Sequence, residues 1–191
     1  MWRPTAVFLA LACTLPALAD APPGLSLRER NFLNEAAILN LTEIHAGKLA
    51  EDMAETAPVR DLARAFADAH ATAHERLRAI AAKHNLTLPP DLDGPTQQQI
   101  AEMQTFTGPA FDRYFLAFQE ETHTRALKLF EAQTGFVGDE GLNHYARTTL
   151  VMLNDHLRKV VEVTAATARE QTQTPPDALS PQSAEQPEHA Q

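Results

Sequence analysis

The sequence has a single cysteine, Cys13, and it falls inside an apolar run at the N-terminus. If that run is removed on export, the mature chain can form no disulfide and carries no thiol nucleophile, so thiolate chemistry is excluded. Glycine is scarce, at 7 of 191 residues, while alanine is abundant and β-branched runs are few, which counts against a sheet and for an all-α chain. Positive charge is in deficit. With 16 Lys+Arg against 25 Asp+Glu the formal net charge is −9, a field that repels polyanions and argues against nucleic-acid or anionic-membrane surfaces. There is no glycine-rich phosphate loop, nucleophile elbow or serine-histidine-acid order, so the chain offers no sequence motif of an enzyme and no substrate.

The one long apolar run, TAVFLALACTLPALA, lies within Met1–Ala19 behind a short segment with Arg3, and small residues in A-x-A spacing stand at Ala17 and Ala19, with Ala19 and Ala21 as a second choice. That arrangement is a secretory signal peptide, residues 1–21 at most. Pro16 interrupts the run, and its length falls short of the ~20 apolar residues of a membrane span, so an uncleaved anchor is disfavoured. Ala10 and Leu11 are poor precedents for a lipidated Cys13. Export, and a periplasmic location in a two-membrane cell, are the expectation.

Four long helical patterns follow. Ser26-Leu27-Arg28-Glu29 forms a capping box, and periodicity then runs to about Glu55 with Phe32, Ala36, Leu39, Ala46, Gly47 and Ala50 on one line. The small residues in its second half allow close approach of another helix. Pro58 opens a second helix to about His84, and Pro109 a third that Gly135 stops. Asp139 can cap a fourth helix to about Ala168. Between the second and third helices, residues 85–107 contain Leu88-Pro89-Pro90 and Asp93-Gly94-Pro95 before a short helical stretch over 96–106. That length can cross the whole domain, whereas the other links only join antiparallel neighbours, so two helical hairpins joined by a long crossover are predicted, running up, down, down, up. Residues 22–169 form this domain. The Pro-, Gln- and Ser-rich segment 170–191 reads as a disordered tail.

Each long helix places an ionisable group on its apolar line near its midpoint: Glu43, His70, His123 and His156. Helices of similar length with aligned ends put their midpoints in one layer, so the four groups are predicted to converge on the bundle axis. One carboxylate with three imidazoles suits a first-row transition ion, zinc or iron, with His74 as an additional candidate ligand. The competing reading is a buried hydrogen-bond network that holds helix register without a ligand. His45 projects away from the line and His84 belongs to a helix end. Glu120-x-x-His123 is only half of a di-iron spacing. Asp112 reads as a first-turn acid favoured by the helix dipole.

EIHAGKLA from Glu43, His70 with the later Leu88-Pro89, GPAFDRYF from Gly108, His123, LFE from Leu129, Thr149-Leu150 and His156-Leu157 together resemble the bacterial Domain of Unknown Function four-one-four-two, over about residues 31–161. The resemblance implies an exported, ferritin-like four-helix bundle and no established activity. It places Glu43, His70, Asp112, His123 and His156 at the family's recurrent polar positions. Ala69 and Thr122 stand where the family tends to carry Asp before its two middle histidines, and Leu150-Val151 where it carries Leu-Pro. Loss of those acids removes outer partners for the imidazoles. Two function classes lead, a metal-binding bundle and a ligand-free structural or partner-binding module of the envelope, with an enzyme a distant third.

Overall fold

Ser26 starts the first helix as its capping box predicts: its hydroxyl accepts from the Glu29 N–H while the Glu29 carboxylate accepts from the Ser26 backbone. The computed structural model describes residues 24–173, and within them every element is an α-helix. They are α1 (Leu27–Met53), α2 (Ala57–Lys83), α3 (Gly94–Met103), α4 (Gly108–Thr134) and α5 (Glu140–Gln173). No strand occurs among the described residues. The expected signal segment with Cys13, and the residues beyond Gln173 expected to form a disordered tail, lie outside them. Pro58 and Pro109 stand in the first turns of α2 and α4, where a missing N–H costs nothing. Asp139 accepts from the Leu142 N–H and so caps α5. That helix continues to Gln173, past the expected end at about Ala168. Gly135 caps the end of α4 as expected, with φ −80; among the described residues positive φ occurs at Asn85 after α2 and Gly108 at the start of α4.

α1 packs on α2 and α4 on α5, with α1 also against α4 and α2 against α5. Asp112 near the start of α4 accepts from backbone N–H groups at the end of α1, and Arg28 at the start of α1 donates to the Ala132 carbonyl near the end of α4. α4 therefore runs antiparallel to α1, and the crossover through α3 carries the chain back along the length of the molecule. The close approach expected for α1 is real. A Cβ on Gly47 would meet the Ala63 carbonyl oxygen at 2.7 Å and the Ala67 Cβ at 2.9 Å. Gly47→Ala is therefore expected to lower the melting temperature, because overpacking costs ~1–3 kcal/mol while the gain in helix propensity returns about 1. A thermal melt that rises instead would show that α1 and α2 can separate freely.

Two apolar cores sit at opposite ends. One joins Phe32, Leu33, Leu77, Phe130, Leu142 and Leu153; the other joins Val59, Phe66, Met103, Phe111, Phe115 and Val160. On every long helix the residues between these sets are polar and buried: Asn40 and Glu43 on α1, His70 on α2, Gln119, Thr122 and His123 on α4, His156 on α5. A polar layer thus crosses the middle of an apolar interior, where groups without partners are expensive.

Candidate metal centre

His123 is anchored by its own helix. Its Nδ1 lies 2.9 Å from the Gln119 carbonyl oxygen, an acceptor only, so Nδ1 carries the proton and Nε2 holds a lone pair. That lone pair accepts from His156 Nδ1 at 3.1 Å. On the other side of the layer, Asn40 donates its amide to the Tyr145 oxygen (3.0 Å) and turns its carbonyl oxygen to His70 Nδ1 (3.0 Å). His70 Nδ1 is then the donor, and its Nε2, with a lone pair, has no partner. One ring nitrogen from each of His70, His123 and His156 lies within 4.8 Å of the others. Phe66 stacks on His156 with ring centroids 3.8 Å apart and planes 11° from parallel, which holds that ring in place.

Burial keeps these groups uncharged near neutrality. It pushes His123 down to about 4 and His70 well below its ordinary value; for His156, burial first and the neighbouring His123 next lower it to about 3. Burial also pushes the Glu43 carboxyl up to about 8, with the Gln119 amide and the Arg125 charge acting weakly the other way. No hydrogen bond reaches either Glu43 oxygen, nor either polar atom of the Gln119 amide. The layer is a set of lone pairs and unpartnered polar atoms sealed from water.

Of the residues singled out from the sequence, the three histidines come together and Glu43 stands beside them. Its Oε1 is 3.9 Å from His123 Nδ1, the ring edge turned away from His156. The reason is a one-turn offset: α1 presents Asn40, three residues before Glu43, to His70. His74 is not brought in. It lies one turn beyond His70, half-buried, with Nδ1 unpartnered. His45 and Glu120 are exposed, and His84 ends α2 with Nε2 3.3 Å from Asp139 Oδ2. Asp112 is not in the first turn of α4, which holds no acid. It is fully buried and accepts from the Glu55 N–H (2.8 Å), the Thr56 N–H (3.0 Å) and the Thr56 hydroxyl (2.7 Å), closing the α1–α2 turn. Asn40, Gln119 and Tyr145 were missed. For Asn40 and Gln119 the available signal was a polar residue three or four positions before a buried ionisable one, hence on the same helix face; Tyr145 carried no such signal.

Residues 14–163 match the family described as Domain of unknown function (DUF4142). The chain belongs to this family. Among curated proteins, none matches the chain. The fold of this DUF4142 protein is similar to that of a DUF305 fragment from Deinococcus radiodurans, with a TM-score of 0.68 at 13% identity over 75% of this chain and 99% of that one. It is also similar to a DUF305 protein from Streptomyces coelicolor inferred to be secreted, with a TM-score of 0.63 at 14% identity over 74% of this chain and 94% of that one. At such identities the likeness is one of fold alone. No helix among the described residues is long and apolar enough to cross a membrane.

Proposed function

We propose that this DUF4142 protein is an exported, ferritin-like four-helix bundle that binds one first-row transition ion, zinc or iron, between His70, His123 and His156. The carrying observation is the inward set of ring nitrogens backed by carbonyls. His70 and His123 each use Nδ1 on a carbonyl oxygen, the outer partner that fixes a ligand's tautomer, and each holds Nε2 as a lone pair. The 3.1 Å between His123 Nε2 and His156 Nδ1 is close to the ~3.3 Å between two nitrogens on a tetrahedral zinc with bonds of ~2.0–2.1 Å. His156 can free its Nδ1 lone pair by moving the proton to Nε2, with no net charge change. The nearby Glu43 carboxyl, neutral without the ion, would give up its proton to balance part of the ion's charge from behind His123 rather than ligate it. Three protein nitrogens leave a fourth position open.

The second reading, a hydrogen-bond network without a ligand, is favoured by the direct His123–His156 bond, but it leaves His70 Nε2 and both Glu43 oxygens without partners. Elemental analysis decides between them. Protein made without a histidine tag in zinc- and iron-replete medium is expected to carry close to one equivalent of metal, to lose it in His123→Ala, and to melt lower after chelation, by ~3–4 kcal/mol at 100 to 1,000 times the dissociation constant. Metal-free protein whose melting temperature ignores added zinc or iron would leave the network. Export rests on the N-terminal apolar run and A-x-A spacing, and cleavage after Ala19 or Ala21 is read by intact mass.

A further inference from the structure

A groove of about 700 Å³ opens between α1 and α4 beneath α3, away from the inward face of the histidines. Of α3 itself only Met103 is buried, so the helix covers the groove like a strap pinned at its C-terminal end. Ile38, Leu39, Ala126 and Leu129 form an apolar strip along it, and polar and charged side chains line the rest. Thr42 and Thr122 also line it, and both are buried. Thr42 donates its hydroxyl to the Ile38 carbonyl, but the Thr122 hydroxyl, in a residue 3% exposed, has no partner. Native interiors rarely leave such a group without a hydrogen bond. A groove of this size, with an apolar strip between α1 and α4, a polar rim and a buried hydroxyl at its base, has the make-up of a site for a small organic molecule.

The charge around it narrows the ligand. Glu35, Asp93 and Glu102 line the groove against one cation, Arg125, so an anionic head meets net repulsion. The unpartnered floor group, the Thr122 hydroxyl, is both donor and acceptor and does not repay a cation for its lost water. We propose that the groove beneath α3 binds a small uncharged amphiphile, its alcohol or primary-amide head bonded to Thr122 and its hydrocarbon body lying along Ile38, Leu39, Ala126 and Leu129. This site is independent of the metal reading, because it uses no histidine nitrogen.

Titration of the full-length mature protein with octanamide, octanol, octanoate and octylammonium, followed by amide NMR shifts, tests it. Saturable shifts confined to α3 and to the neighbourhoods of Thr42, Thr122 and Ala126 are expected for octanamide and octanol, with weaker binding of both charged probes. Thr122→Val keeps the shape and removes the hydroxyl, and is expected to weaken octanamide by about fivefold or more, the worth of one hydrogen bond. Its melting temperature should hold or rise, since an unpartnered hydroxyl is removed. The proposal is overturned by an absence of saturable shifts, by a charged probe binding as tightly as octanamide, or by equal octanamide affinity in Thr122→Val. A valine variant that melts lower and a parent that binds no probe would mean that water alone fills the floor.

Discussion

Metal-free protein is expected to be most stable near pH 6.5 and to lose stability on both sides, more steeply towards acid. The signs follow from the buried layer. His123 and His156 hold folded values of about 4 and about 3, and His70 is also well below the ordinary histidine value of 6.5. Below pH 6.5 the unfolded chain therefore takes up three protons that the folded chain refuses, and stability falls as pH falls. Glu43 acts oppositely. Its folded value of about 8 stands above the ordinary 4.5, so between those limits the unfolded chain releases a proton that the folded chain keeps, and stability falls as pH rises. Between pH 4.5 and 6.5 three histidines oppose one carboxyl. The net of two protons gives a slope approaching ~3 kcal/mol per pH unit, a loss of about 3 kcal/mol between pH 6.5 and 5, a large share of the stability of a marginal domain. Melting curves from pH 5 to 8.5 measure it. Glu43→Gln should remove the loss between pH 6.5 and 8 and leave the acid side intact. A melting temperature flat from pH 5 to 7 would mean that the three imidazoles reach solvent and the layer is not sealed.

Much of this layer was legible in the sequence because helical periodicity is a local rule. His70, His123 and His156 sit on apolar lines near helix midpoints, and Ser26, Pro58, Pro109 and Asp139 mark helix starts that need only their own neighbours. What depends on axial offset between helices was not legible. A displacement of one turn decides whether α1 shows Asn40 or Glu43 to His70, and periodicity alone is blind to a shift along the axis. Asp112 is the same case over a longer range. Its three donors belong to Glu55 and Thr56, in the turn of the other hairpin, so no pattern around Asp112 announces them. The outer partners inferred lost at Ala69 and Thr122 are supplied instead by Asn40 and the Gln119 carbonyl, neither of them an acid.

Asn40→Leu is expected to weaken metal binding by ~10–100-fold without removing a ligand, the usual cost of losing an outer partner. The mechanism runs through one proton. Asn40 is buried and links Tyr145 to His70, donating to the Tyr145 oxygen while its carbonyl oxygen takes the His70 Nδ1 proton. Leucine fills similar space but accepts nothing, so His70 is free to rotate or to carry its proton on Nε2, the nitrogen that must hold a lone pair towards the ion. Each tautomer or rotamer that hides the lone pair reduces the binding-competent fraction, and apparent affinity falls by that fraction. A wholly structural role for Asn40 gives a different pattern: the melting temperature drops equally with and without metal, and the dissociation constant is unchanged. Tyr145→Phe provides a graded control. It removes the acceptor of the Asn40 amide but leaves the Asn40 carbonyl, so the affinity loss should be smaller than in Asn40→Leu. Zinc titration of all three proteins, beside melts of each metal-free form, separates the patterns. An Asn40→Leu protein that folds and binds zinc as tightly as its parent would mean that Asn40 does not position His70 for the ion.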